Sequence, residues 1–401
     1  MDGHLVLALN CGSSSIKFAL FDAGVSPLPR TPLWRGSVQG IGGPDPTWGA
    51  GDAPRSPLRL DAAAPYASAL QHIRARIGEF LAGRTLRLVV HRVVHGGAKY
   101  ADPVQLDAAV LEDLKQCIPL APLHQPHALE AIALMLEAEP AVPQVACFDT
   151  AFHRHMPLTE RVLPLPWAAW RRGIRRYGFH GLSYAYLALS LAERHGEAAR
   201  GRTIALHLGS GASLCAMRDL TSVATTMGFS ALDGVMMGTR SGAIDPGVLL
   251  HLLQVEGMTP AEVARMLYHE SGLLGVSGIS SEPRVLLRHE DDADERGERA
   301  RLALALYVRS IVREAGALAA LLGGVDMLAF TAGVGENSAP VRERVCHALA
   351  WLGVRIDPLA NARNAPLIST PDSRVRVVVE PTNEEWMAVT QALACPGLDT
   401  G

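Results

Sequence analysis

No apolar run in the 401 residues approaches the ~18 needed for a transmembrane helix. The opening Met1-Asp2-Gly3-His4 lacks a basic n-region, and Leu5–Leu9 is too short for a secretory h-region. The six cysteines (Cys11, Cys117, Cys147, Cys215, Cys346, Cys395) include no CxxC pair, so neither a zinc knuckle nor a disulfide frame is expected. An excess of one charge is missing too, with Lys+Arg 37 against Asp+Glu 40 and a net charge of −3. That balance argues against nucleic acid or an anionic membrane surface as partner. These absences together predict a soluble, cytoplasmic protein. Signature motifs are also lacking. There is no GxxxxGK[ST] P-loop, no protein-kinase HRDxxxxN, no G-x-S-x-G elbow and no GxGxxG.

Hydrophobic residues at 48% and charged ones at 19% supply ample core and no signature of disorder. A single core stops growing near ~250–300 residues, so this length predicts two domains. Its 38 glycines and 26 prolines exceed average usage (~12% together) without reaching low complexity. Where the glycines sit is the first question about function.

Leu5–Leu9 and Ile16–Phe21 predict two strands split by a tight polar turn, and 36–57 a strand end followed by an excursion loop. A strand is expected over Arg87–Val94, a helix near 126–138 and a strand over Gln144–Phe148. Leu304, Val308, Ile311, Ala315, Leu318 and Leu322 recur at helical spacing before Gly323-Gly324, and a strand Met327–Phe330 should follow. The mixed order indicates the α/β class. LNCGSSSIKFALFD (9–22) aligns without gaps on LHLGSGASLCAMRD (206–219), an offset near half the chain. Two related halves would explain the echo, and chance likeness of two Gly/Ser hairpins is the alternative.

Three Gly-rich turns each follow an apolar strand: NCGSSS (10–15), HLGSGAS (207–213) and TAGVGENS (331–338). Small residues let main-chain N–H groups approach a polyanion, and a helix capped by Ser338 with Pro340 in its first turn would favour a phosphate. His91 and His95, four apart on a predicted strand, stand too far apart to share a zinc, and His153-x-His155 lacks an evident third ligand. The cluster Arg171, Arg172, Arg175, Arg176 is read as a solvated face or inter-domain contact, and 289–299 as solvated surface. Polar residues at strand ends say more: Arg92, Asp149, His180, Arg240 and Glu384. Two arginines, a histidine and acids are what phosphoryl transfer needs, the cations for equatorial oxygens and the acids for Mg²⁺.

The blocks LNCGSSSIKF, HRVVHGG, APLHQPH, FDTAFH, RRYGFHG, HLGSGAS, MGFSALDGVMMGTRSGAIDPG, SGLLGVSGISSEPR, TAGVGENS and PTNEEW follow one another across nearly the whole chain. In these blocks the sequence resembles the acetate kinase family of the sugar kinase, Hsp70 and actin superfamily. The resemblance implies an α/β fold of two duplicated ribonuclease H-like (actin/Hsp70-type) domains with an active-site cleft between them, and a homodimer. Residues 1–152 plus 386–401 would form one domain, and 153–385 the nucleotide-binding and dimerisation domain. The implied reaction is ATP plus acetate giving ADP plus acetyl phosphate, reversibly, with Mg²⁺ or Mn²⁺.

By motif, the resemblance implies that Arg92 and Arg240 bind the carboxylate and the transferring phosphoryl group, with His180 donating to the latter. Asp149 is the family's acidic active-site residue, and Asn10 and Glu384 would lie at the metal. Val94, Leu123, Phe179 and Ala231 would line the acyl pocket, supported by His124. For ATP it implies Ser13, Ser15 and Lys17 in the first phosphate loop. His207, Leu208, Gly209, Ser210 and Gly211 follow, then Glu282, Pro283 and Arg284, and finally Gly333, Val334, Gly335, Glu336 and Asn337. The sequence departs from the family at three points. Ser210 stands for an Asn, Glu282 for an Asp, and Ser230-Ala231 for Thr-Pro. Loss of the proline ring could admit one more methylene and so propionate. Propionate kinase, or a broad short-chain acyl kinase, is therefore the near alternative. A nucleotide-switched Hsp70- or actin-like binding module is the distant one, and the paired Arg92 and Arg240 argue against it. Because a carboxylate nucleophile is already ionised at pH 7, Asp149 is expected to orient Arg92 or a metal-bound water rather than act as a base.

Overall fold

The computed structural model describes residues 4–122 and 124–398. The chain divides into two compact units, Met1–Ala151 with Asn383–Gly401, and Phe152–Thr382. Among the described residues no helix is long and apolar enough to cross a membrane.

The first unit is built on an eight-stranded sheet: β1 (Leu5–Cys11), β2 (Ser15–Asp22), β3 (Trp34–Gln39), β4 (Thr47–Ala50), β5 (Ser56–Pro57), β6 (Leu86–Val93), β7 (Val104–Gln105) and β8 (Gln144–Phe148). Its order is β5-β4-β3-β2-β1-β6-β8-β7, with β1–β6 and β6–β8 parallel. Alternation sends Leu5, Leu7, Leu9 and Cys11 into one core with Tyr66, Leu70, Ile73 and Ile77 of the helix Pro65–Leu81. A second helix, Glu384–Leu393, packs against β1, β6 and β8 and brings the C-terminal segment into this unit. The stretch 36–57 contains the expected strand end in β3, and its excursion returns to extend the sheet as β4 and β5. Phe18 meets Trp34 edge-on at 4.9 Å and stacks on Trp48 at 5.7 Å. A Cβ on Gly36 would come within 2.8 Å of the Phe18 ring, so glycine there makes room for the aromatic cluster.

The second unit carries a five-stranded sheet, β9 (Arg202–Leu208), β10 (Ala212–Arg218), β11 (Thr221–Thr225), β12 (Met327–Thr331) and β13 (Arg376–Val379), in the order β11-β10-β9-β12-β13. Strands β9, β12 and β13 run parallel. The helix Glu295–Leu322 packs on β10, with Asp294 accepting from the Gly297 N–H at its start and Gly323 left-handed at its end. Of the six residues that mark its periodicity, all but the half-buried Val308 are buried. The helix Gly181–His195 covers the sheet through Tyr184, Leu187 and Leu191.

An offset of 197 carries β1 onto the bounds of β9 and the start of β2 onto the start of β10. The two sheets share one connectivity, with β3-β2-β1-β6-β8 matching β11-β10-β9-β12-β13 in order and in parallel or antiparallel sense. This is the duplicated, actin-like arrangement, so chance likeness of the two hairpins is set aside. The copies differ in register by one residue. Cys11 pairs with Ile16, whereas Leu208, its counterpart, pairs with Ala212.

Candidate active site

In the first unit the parallel strands β1 and β6 bring Asn10 and Arg92 side by side at their carboxyl ends, and Asp149 follows directly after β8. Ligands of open α/β sheets gather at such ends. The Arg92 guanidinium is held on all three nitrogens, and the second N–H of each Nη is not used by these contacts. Nε donates to Asp149 Oδ1 at 2.9 Å, Nη2 donates to Oδ2 at 2.6 Å, and Nη1 lies 3.0 Å from Glu384 Oε2. Asp149 is buried, while Arg92 and Glu384 keep a small exposed edge. Burial pulls against the charge on Arg92, yet the two carboxylates outweigh it and hold its pKa above the ordinary value. Glu384 opens its helix beside Asn383, whose side chain caps the Trp386 N–H. Lys17, exposed on β2, stands opposite Asn10, and Ser13 and Ser15 lie on and just after the turn. Val94 follows β6 half-buried, and His124 takes the N-cap position of the helix Gln125–Ala138. Leu123 lies outside the described residues.

His91 and His95 hold structural places in the same unit. His91 Nε2 meets Gln144 Oε1 at 2.8 Å, and burial pushes its pKa down to about 4. The Gly97 N–H donates to His95 Nδ1 at 2.8 Å.

In the second unit His180 opens the helix Gly181–His195 in the left-handed conformation (φ 59°, ψ 25°), an uncommon backbone for a residue with a Cβ. His153 holds that approach, with Nε2 2.9 Å from the Phe179 carbonyl and Nδ1 2.8 Å from Ser222 Oγ. The His180 ring stacks on His207 with centroids 4.1 Å apart, and its Nδ1 lies 2.8 Å from Ser213 Oγ. His207 Nδ1 in turn meets Ser183 Oγ at 2.8 Å. Burial lowers the pKa of Arg240, whose Nη1 donates to the Ala231 carbonyl at 3.0 Å. A Cβ placed on Gly211 would stand 3.4 Å from His180 Nε2 and 3.5 Å from Arg240 Nη1. An imidazole nitrogen and a guanidinium thus converge on the bare backbone of the turn after β9.

The remaining predicted nucleotide contacts follow the same sheet. Leu208 is buried at the end of β9, Gly209 turns the chain, and the exposed Ser210 accepts from the Gly238 N–H through its carbonyl. Glu282 and Arg284 pair at 2.5 Å on the surface around the buried Pro283. The third turn differs from expectation. The chain passes from β12 straight into a short helix, Ala332–Asn337, and the Ser338 side chain makes no cap bond to the helix Ala339–Ala348. Ala332, at φ 64°, absorbs the change of direction that the glycines were expected to supply. Within this helix Asn337 Nδ2 donates to the exposed Gly333 carbonyl and Val334 is half-buried. Glu336 accepts from the Thr382 N–H, and its carboxyl pKa is raised by burial.

Sequence reasoning passes over the residues behind these. Ser213 and Tyr184 sit behind His180 and Ser183 behind His207. Arg342, with no exposed surface, donates to the Gly335 and Glu336 carbonyls, to Asn361 Oδ1 and carbonyl oxygen, and to Asn364 Oδ1. Ser213 stands inside the HLGSGAS block, but only the three-dimensional contact assigns it to His180.

A family model described as the Acetokinase family matches residues 5–390. An acetate kinase of Rhodopseudomonas palustris is 45% identical over 388 residues, covering 96% of each chain. Among solved structures, an acetate kinase of Porphyromonas gingivalis superposes with a TM-score of 0.85 at 36% identity, covering 98% of this chain and 99% of its own. A propionate kinase of Francisella tularensis gives 0.88 at 33% identity, covering 97% and 98%. The likeness in sequence and in structure extends over nearly the whole chain, and the chain belongs to the acetokinase family.

Proposed function

We propose that this chain transfers the γ-phosphoryl group of ATP to acetate, reversibly, giving acetyl phosphate and ADP. The observation that carries the reading is the convergence of His180 Nε2 and Arg240 Nη1 on Gly211, where no side chain intervenes. Two donors and a main-chain turn suit the equatorial oxygens of a phosphoryl group. Arg92 would receive the carboxylate. Its guanidinium is held by Asp149 and Glu384 before substrate arrives, so little reorganisation is left for the reaction.

The acetate oxygen attacks phosphorus, the bond to the β–γ bridging oxygen breaks, and ADP leaves with that electron pair. No base is needed for an ionised carboxylate, and both Asp149 oxygens are engaged by Arg92, which supports an orienting role. Asn10 and Glu384 offer hard oxygen donors at the carboxyl ends of the first sheet. That donor set fits Mg²⁺ or Mn²⁺, ions that take one or two protein ligands and otherwise water and substrate phosphates. When bound, the ion neutralises phosphate charge. The predicted segments of the second unit would hold the nucleotide. Inversion at a chiral γ-phosphorus is expected, and retention would replace direct transfer by a phosphoenzyme.

A broader acyl range is the second reading. Ala231 stands where the family carries proline, and its carbonyl takes the Arg240 hydrogen bond, so the exchange alters both pocket volume and arginine support. A homodimer belongs to the proposal as well. Ile244, Val248, Leu250, Leu253 and Val255 are exposed around the helix Pro246–Gln254 and its flanks, apolar surface that a second copy would cover. Six free, buried cysteines accord with a reducing cytoplasm.

Hydroxylamine trapping with ATP, Mg²⁺ and acetate, propionate or butyrate tests the reading. Acyl hydroxamate should form, and Arg92→Ala and Arg240→Ala should each suppress it. No hydroxamate from any of the three acids would favour a nucleotide-switched binding module.

A further inference from the structure

His180 is backed by two buried hydroxyls, and counting their protons determines which nitrogen of the ring carries its own. Tyr184, one turn along the same helix, places Oη 2.8 Å from the Ser213 carbonyl oxygen and 2.6 Å from Ser213 Oγ. Neither Tyr184 nor Ser213 has exposed surface. Of the two oxygens within reach of Tyr184 only the hydroxyl can also donate, so for every contact to be a hydrogen bond the Tyr184 proton goes to the carbonyl. The Oη···Oγ contact is then a hydrogen bond only if Ser213 donates, which uses the one proton of Ser213. What remains is the 2.8 Å contact between Ser213 Oγ and His180 Nδ1, and the proton in it has to come from the imidazole.

We infer that Tyr184 and Ser213 are positioning residues that hold the His180 proton on Nδ1, so that Nε2, the atom beside Gly211 and Arg240, donates only when the ring is an imidazolium. The inference rests on the proposed role of His180 as a donor to the phosphoryl group. The neutral ring would offer that group a lone pair, and repulsion would replace the hydrogen bond. The groups facing His180 in its own unit are Arg240 Nη1, whose charge opposes protonation, the stacked His207 ring, and Tyr184. Burial holds the Tyr184 pKa well above the ordinary phenol value, so its hydroxyl keeps the proton the count requires. A bound triphosphate would draw the ring toward the imidazolium and so couple donor competence to nucleotide binding.

The tautomer is directly observable. Histidine labelled with ¹⁵N in the imidazole ring, in the full-length protein at about pH 9, should show His180 as the Nδ1–H form, its signal identified by its loss in His180→Ala. An Nε2–H form in the wild type would overturn the inference, and this measurement needs no variant to fold around a changed core. Tyr184→Phe frees the Ser213 proton for Nδ1. His180 should then become the Nε2–H form, and the alkaline fall in kcat should flatten by about threefold or more at pH 9 relative to pH 7, with KM for acetate unchanged. An unaltered pH profile despite a switched tautomer would also overturn the inference. Full activity in His180→Ala would instead remove the phosphoryl-donor role itself, and the wild-type tautomer would still decide the proton placement.

Discussion

Exchanging Asp149 for asparagine is the sharpest test of how the arginine of the first unit is held. In the native site one guanidinium lies between two carboxylates, with both Asp149 oxygens at hydrogen-bond distance and Glu384 on the third nitrogen. The Asp149→Asn side chain would keep one acceptor and turn an amide N–H₂ toward Nε or Nη2. One charge-assisted bond is lost, worth about 1.5–3 kcal/mol. If that loss falls on the transition state, kcat/KM drops about 10- to 150-fold at 25 °C. The loss should come with a raised acetate KM, because the arginine proposed to receive acetate is the one left loose.

The decisive assay is a double-mutant cycle read by acyl hydroxamate formation. If Asp149 acts through Arg92, then Asp149→Asn costs little more once Arg92→Ala is present, and the coupling should reach about 1 kcal/mol or more. The Asp149→Glu variant should recover part of the activity, since it keeps the charge on a longer arm. Additive effects within about 0.5 kcal/mol would refute the orienting role and return Asp149 to independent chemistry. A loss beyond about 10⁴-fold, with an acid limb abolished in the pH profile, would point to a general base.

Acid should destabilise the fold through its buried imidazoles. His91 and His153 are neutral in the folded protein, with pKa pushed to about 4 by burial, against ~6.5 in the unfolded chain. The unfolded chain binds more protons between those values. Stability is therefore full above about pH 6.5 and falls toward pH 4 by about 1.4 kcal/mol per unit for each histidine. Urea unfolding at stepped pH should lose one such slope in His91→Asn, and an unchanged slope would refute the account. Ala231→Pro should lower the propionate-to-acetate ratio of kcat/KM by about 5- to 100-fold, on the scale of one methylene. A constant ratio would separate this residue from acyl selection. Arg342→Lys keeps a buried charge but cannot reach five acceptors, so it should cost about 2–4 kcal/mol of stability and raise KM for ATP by loosening Gly335 and Glu336. Unaltered melting together with unaltered KM would show that the fork is dispensable.

Much of this architecture is legible in the sequence because it is local. Short apolar or alternating segments locate β1, β2, β8 and β12, and helical spacing locates Glu295–Leu322. The turn 331–338 defeats that reading because its small residues look like loop, whereas β12 feeds directly into helix and the positive φ falls on Ala332. Contacts between distant residues are out of reach for a related reason. Nothing in HRVVHGG and FDTAFH states that Arg92 closes a bidentate pair with a residue 57 positions away. Nor does GFHG reveal that Ser213 and Tyr184 stand behind its histidine. Motifs name the groups that do chemistry, and packing decides their partners and protons.

The duplication shows how far a shared scaffold constrains those groups. The offset of 197 carries Asn10 onto His207, and the parallel registers pair Asn10 with Arg92 in one unit and His207 with Thr331 in the other. One place in the fold, the carboxyl end of two adjacent parallel strands, thus holds an amide and a guanidinium in the first copy and an imidazole and a hydroxyl in the second. In the first copy the guanidinium is paired with two carboxylates. The counterpart of Arg92, Thr331, is fully buried, and β12 runs on into the short helix Ala332–Asn337. The same backbone geometry therefore carries different chemical groups in its two copies. The one-residue register slip between Cys11–Ile16 and Leu208–Ala212 leaves the second turn shorter by a residue, and that shorter turn is the one on which His180 and Arg240 converge.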